Sequence, residues 1–371
     1  MDMHRIVSST TSFSGKVRQN KMTKQPDRRF HCGLISENRN VLFGISMVMI
    51  ILFHFSEDYH TAVEADKIGN IPFWGRLVMQ YYRYVRSIGV ELFVFMAGMG
   101  QYYSYSRQPD ILNYYKRRAT RVLIPYAILA VPFWFMKDAI LAKAGAAEYF
   151  KDLFFFTFFT DAEHALWFIG FILAMYLILP VVYQLLYKDK KTGILWFVAL
   201  IAGVIFASEQ IRLLDPETYL GVEIALTRIP IFIVGVYAGK WIKEDKKISN
   251  LPLWVFTLLS LGLKIFIVKT ETGNYIARYT DIFYALALIL ILTILSQMII
   301  RHIVGLKKVL TLIGAYSLEL YMTHVTVRGI FKNLKISTWH VRCYVMVVLL
   351  AILLSAGLKK SAESVTEWQS S

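Results

Sequence analysis

The stretch GISMVMIILFHFSED (Gly44–Asp58) runs through Ile, Met, Val, Leu and Phe and then meets His54. A run this apolar belongs in lipid or in a packed core. A histidine at its end needs a partner or a task, because a buried polar group without hydrogen bonds is costly. The rest of the chain decides between lipid and core. Of its 371 residues 56% are hydrophobic and only 18% charged, and the mean hydropathy is +0.47. Ordinary soluble domains are more charged and less apolar. Apolar segments of membrane-spanning length recur to the end of the chain, about 20 helical residues being enough to cross a bilayer core. Backbone groups in lipid must be satisfied within the segment, so these are helices, and the alternation of barrel strands is absent.

The spacing predicts an all-α, polytopic transmembrane bundle of about ten spans, near 40–57, 85–106, 119–142, 165–187, 193–210, 225–242, 251–268, 281–300, 308–330 and 340–358. Residues 1–39 read as a basic, disordered cytosolic tail, since no apolar segment there precedes a cleavage-like site. Residues 40–358 form the membrane domain and 359–371 a short cytosolic tail.

The net charge of +15 would raise the question of nucleic acid in a soluble protein. Here the cations sit in alternate loops, at 114–121, 187–191, 240–247, 301–308 and 358–360, and the acids in the loops between. That pattern is a topology signal, and it places both termini in the cytoplasm of a plasma-membrane protein with no nucleic-acid partner. The loop at 331–342, with Lys332, Lys335 and Arg342 outside, breaks the rule. The two cysteines, Cys32 and Cys343, lie far apart and form neither a disulfide framework nor a metal site.

Depth links the polar residues inside the spans. At about 1.5 Å per residue, His54 lies just short of the outer end of the first span. Glu91, in IGVELFVFMAG, lies close to the outer start of the second. His324, in YSLELYMTHVTV, stands near the outer end of the ninth. The three levels agree within roughly 5 Å, and Trp167 and Arg228 are close to them. Each alone has a bland reading: an interfacial histidine hydrogen-bonded and silent, or a carboxylate that merely orients a ring. Together they are a candidate catalytic group, because an ionisable side chain in a span faces a bundle interior or cavity and usually serves function. A neutral histidine can take a proton from a hydroxyl as it attacks an acyl carbon, and a carboxylate can hold the ring. No G-x-S-x-G elbow is present, which favours direct transfer over a serine-bound intermediate and leaves a covalent histidine intermediate as the alternative. In YYKRRATRVLIPY (114–126) the cations anchor a helix end. For Arg117, Arg118 and Arg121 a second reading is an anion site, guanidinium forks being suited to phosphate.

These stretches resemble acyltransferase family 3, the polytopic enzymes that O-acylate cell-surface glycans, over roughly residues 39–330. GISMVMIILFHF resembles the family's first span, which ends in a catalytic histidine, here His54. IGVELFVFMAGMGQYYSY resembles the second, with Glu91 and Gly98. YYKRRATRVLIPY resembles the basic motif that follows, with Arg117, Arg118, Arg121 and Pro125. ALWFIGFILAMYLILP carries Trp167, RIPIFIVGVYAG carries Arg228, and LTLIGAYSLELYMTH carries Tyr316, Ser317, Tyr321 and His324. Ala97 stands where the family usually has Ser, and a second departure matters more: the arginine eleven residues before the first-span histidine is Phe43, and Arg39 stands one turn earlier on the same face.

The resemblance implies an acyl-CoA donor, most often acetyl-CoA, held by Arg117, Arg118, Arg121 and Arg39. It implies a glycan or glycolipid acceptor, as in exopolysaccharide O-acetylation, with Trp167, Arg228 and Tyr321 beside it and no metal. His54 would be the general base, with Glu91 and His324 orienting or assisting. The competing readings are a transporter or flippase of a lipid-linked sugar or small acid, since intramembrane His and Glu also relay protons, and a catalytically silent homologue, for which Phe43 is the motive.

Overall fold

The computed structural model describes residues 29–86 and 88–370. A two-residue strand β1 (Phe30–His31) leads into α1 (Gly33–Glu37), α2 (Arg39–Glu64), α3 (Phe73–Tyr84) and α4 (Ile88–Arg107). Then come α5 (Ile111–Trp134), α6 (Ala146–Leu153), α7 (Phe156–Thr160), α8 (Trp167–Tyr187), α9 (Gly193–Leu214), α10 (Pro216–Leu226) and α11 (Ile229–Lys243). After β2 (Lys247–Ile248) the chain forms α12 (Asn250–Lys269), α13 (Asn274–Met298), α14 (Val304–Ala315), α15 (Ser317–Asn333) and α16 (Val341–Ser370). The all-α helix bundle expected from hydropathy is what forms.

Eight segments among the described residues are long and apolar enough to cross a membrane. The two further spans expected from sequence, α4 and the α14–α15 pair, fall short of that measure for a physical reason. They carry the polar residues that point inward: Glu91 and Gln101 on α4, and Glu319, His324 and Arg328 on α15, all buried. The ninth expected span is also broken in two at Tyr316. By contrast α9 buries only Gly193 and Ser208, the pattern of a helix facing lipid.

The inner layer is built on close approaches. Helix α4 packs along α11 and α2, α14 along α2, and α15 along α16. A methyl group on Gly98 of α4 would strike the Phe232 carbonyl, and one on Gly235 of α11 would strike the Phe95 carbonyl. The two glycines therefore bring the backbones of α4 and α11 into direct contact, as small residues do between membrane helices.

Residues 1–28 of the expected disordered tail lie outside the described residues. Residues 30–37 of that stretch are folded. Strand β1 pairs antiparallel with β2, Phe30 opposite Ile248, and the Asp245 carboxylate accepts from the Gly33 N–H at 2.8 Å while facing His31 Nδ1 at 2.8 Å. These contacts, led by the one from His31, hold the exposed Asp245 carboxyl below its usual range. Helix α2 also runs on to Glu64, through residues read from sequence as an outer loop. That extension matters for the site.

Candidate active site

Two cavities lie one above the other in the bundle. The larger, of about 1040 Å³, is at the end where α2 begins and is lined by Arg39, Arg107, Arg117, Arg118, Arg121 and Lys307. All but Arg118 are exposed, so it opens to solvent. The four arginines singled out from sequence thus share one cavity, and Arg107 and Lys307 join them. Arg117 Nη1 donates to Gln108 Oε1 at 2.9 Å, and the Arg118 guanidinium lies 5.9 Å from the rings of both Tyr114 and Tyr176. Arg39 lies over the Phe43 ring at 5.4 Å. Arg39 therefore does reach the cavity, one turn below the position where the family has its arginine. Six cations in one open chamber, against Glu37 as the one acid lining it among the described residues, fit a polyphosphate anion and would repel a cation.

The smaller cavity, of about 50 Å³, is lined by His54, Phe53, Trp167, Ile224, Arg228 and Tyr321, among others. Phe93 and Phe168 wall both cavities. Phe93 meets Phe168 edge-on at 5.4 Å, and Phe43 meets Phe93 at 4.8 Å. An aromatic partition thus stands between the cationic chamber and the histidine. Phe43 is part of it.

The histidine side is built by α2, α4, α8, α10 and α15, with Arg228 entering from the start of α11. His54, on α2, and His324, on α15, place their rings 5.5 Å apart, so the equal depth expected from the sequence corresponds to contact. Trp167 heads α8, just after Leu166, whose φ of 58° turns the chain there. Arg228 precedes α11 and is 1% exposed. It lies over the Trp167 ring at 5.3 Å and donates to the Ile224 carbonyl at 2.7 Å. Its Nη2 is 3.0 Å from Glu91 Oε1. The Tyr321 hydroxyl is buried with no partner among the described residues.

Glu91 is thereby committed to Arg228, and the carboxylate beside His54 is a different one. Glu57 Oε2 lies 3.5 Å from His54 Nδ1. Arg328 Nη1 lies 3.0 Å from the same nitrogen. Neither residue was picked out from sequence. Both signals were there: Glu57 is three residues beyond His54 and Arg328 four beyond His324, so each shares a helix face with its histidine. Asp58 and Lys332 complete the group, Lys332 Nζ reaching Asp58 Oδ1 at 2.6 Å. One of the three cations that break the loop-charge rule, Lys332, is thus the partner of a buried carboxylate.

Fold and site together define a multi-pass membrane protein in which a buried histidine pair faces, across an aromatic wall, an open chamber rich in arginine. The family model described as an acyltransferase domain matches residues 40–358, and the chain belongs to that family, acyltransferase family 3, as the motifs indicated. It is an acyltransferase. No curated protein and no solved structure matches the chain. Among the described residues no group of His, Cys, Asp and Glu is arranged to hold a metal ion.

Proposed function

We propose that the protein O-acylates a glycan or glycolipid at the plasma membrane, using cytosolic acyl-CoA, with acetyl-CoA as the preferred donor. The observation that carries this reading is the pair of cavities sharing the Phe93–Phe168 wall. Arg39, Arg117, Arg118 and Arg121 would hold the phosphates of the donor, and its pantetheine arm would reach the wall. On the far side the acceptor hydroxyl gives its proton to His54 as its oxygen attacks the thioester carbon. The tetrahedral oxyanion would take a hydrogen bond from the unpartnered Tyr321 hydroxyl, with Arg228 adding positive potential nearby. The C–S bond then breaks, and the CoA thiolate leaves towards the arginines. In this arrangement Glu91 supports the site by fixing Arg228, and Trp167 packs on the same guanidinium.

The test is transfer of label from radiolabelled acetyl-CoA to a crude cell-envelope glycan fraction by purified protein in proteoliposomes. The wild type is expected to label glycan, or slowly to release free acetate. His54→Ala is expected to do neither while remaining folded and inserted. Equal labelling by the two proteins would remove His54 from the mechanism. Neither transfer nor donor binding in the wild type would remove the acyl-CoA reading.

A further inference from the structure

Hydrogen bonds decide which nitrogen of each histidine carries its proton. A guanidinium has donors and no acceptor. With Arg328 Nη1 3.0 Å away, His54 Nδ1 is the acceptor, so the proton of the neutral ring is on Nε2. Arg328 is itself held in place. Its Nε donates to Asp58 Oδ2 at 2.9 Å, and its Nη2 donates to Asp58 Oδ1 at 2.5 Å and to Glu57 Oε2 at 2.6 Å. His324 is fixed as well. The Tyr344 hydroxyl gives its single proton to the Ile51 carbonyl at 2.6 Å, so it accepts from His324 Nε2–H at 2.9 Å. His324 Nδ1 then bears a lone pair, and it is buried with no partner among the described residues.

This geometry conflicts with His54 acting as a base from the state seen. A nitrogen that already carries a proton takes none from an acceptor hydroxyl. A proton gained elsewhere on the ring would meet the Arg328 guanidinium, donor against donor and charge against like charge. Glu57 resolves the conflict. Its Oε2 is 3.5 Å from the same Nδ1, close enough for a small turn of the ring to exchange one partner for the other. With Nδ1–H directed at the carboxylate, Nε2 has its lone pair free. The imidazolium formed in the reaction then lies beside an anion.

We propose that Arg328, Asp58 and Glu57 select the tautomer of His54. Arg328, clamped by Asp58, keeps the resting ring protonated on Nε2, and Glu57 receives Nδ1–H in the form that takes the acceptor's proton. The exchange moves one proton off Nε2 and one onto Nδ1 by way of water, with no net change of charge. Glu57 and Arg328 are positioning residues: they act through His54 and touch neither substrate. The inference rests on the reading of His54 as the base, but its first test does not depend on turnover.

That test is the nitrogen NMR signature of His54 in the full-length, ¹⁵N-histidine-labelled protein at neutral pH, with His54→Ala supplying the assignment. The expected wild-type signature is a pyridine-type Nδ1 and a pyrrole-type Nε2, exchanging places in Arg328→Met. A pyrrole-type Nδ1 in the wild type overturns the proposal whether or not the protein transfers acetate. The second test is kinetic and keeps Arg328 intact. Glu57→Gln is expected to lower kcat on the order of 10²-fold or more at unchanged KM for the donor, with Glu57→Asp recovering part of the loss. Wild-type kcat in Glu57→Gln, alongside a dead His54→Ala, would overturn the role of Glu57 and leave the acyltransferase reading standing.

Discussion

Arg228 shows what burial does to a single residue. Its guanidinium has left water almost entirely, and Glu91, 7% exposed, is the carboxylate that compensates it. Removing one partner of such a pair leaves an unpaired buried charge, which costs about 3–5 kcal/mol. Glu91→Ala is therefore expected to lower the melting temperature of the detergent-solubilised protein clearly, and Glu91→Gln, which keeps hydrogen-bonding capacity, to lower it less. Equal melting of all three proteins would show that the pair does not govern stability. At this scale the sequence was most informative where a charge interrupts an apolar run. His54, Glu91, Arg228 and His324 all stand out in that way. Glu57 and Asp58 did not, because they follow the apolar run and look like the start of an acidic loop. Arg328 sits among threonine, valine and glycine near the end of its span and looked ordinary. The pairing of these three depends on α2 and α15 lying side by side, and helix order in a bundle is not written in one chain's hydropathy.

At the scale of elements, the contact of α4 with α11 fixes where Glu91 meets Arg228. Gly98 and Gly235 make that contact possible. A larger residue forces the backbones apart, and overpacking of this kind costs about 1–3 kcal/mol. Gly235→Val is expected to lower the melting temperature and also to reduce acyl transfer, since it shifts the ion pair beside His54. Transfer and melting both at wild-type values would show that the two helices have slack. Gly98 was legible as part of a motif, but its reason, the Phe232 carbonyl pressed against it, was not. The expected spans 165–187 and 251–268 agree closely with α8 and α12, whose apolar runs fill the helix from end to end. They differ where a helix continues through polar residues: α2 runs on to Glu64 with Glu57 and Asp58 paired, α5 begins at Ile111 and includes the basic stretch 114–121, α16 runs past Lys360 to Ser370, and α14 and α15 are separate.

Across the whole molecule, the layout of arginines at one end and histidines towards the other could be read from the sequence, because charge distribution and depth both follow from counting residues along spans. The partition between them could not. Phe43, Phe93 and Phe168 lie on three helices, and each alone is one more aromatic residue in a chain that is 15% aromatic. Their closure has an electrical consequence. In the proposed reaction the thiolate would depart on the arginine side and collect its proton there. The acceptor's proton, taken by His54, would be released on the other side. Each turnover would then move one positive charge from the arginine side to the histidine side, although no ion crosses the wall. An elementary charge taken through the whole field is worth about 2.3 kcal/mol per 100 mV. Acetyl transfer by proteoliposomes clamped with potassium and valinomycin is therefore expected to slow when the donor side is made negative and to quicken when it is made positive. Equal rates at both polarities would mean that the proton follows the thiolate through the wall. With the arginine side in the cytosol, as proposed, the enzyme would work against the resting potential of the cell, and the free energy of the thioester would drive the acyl group outward.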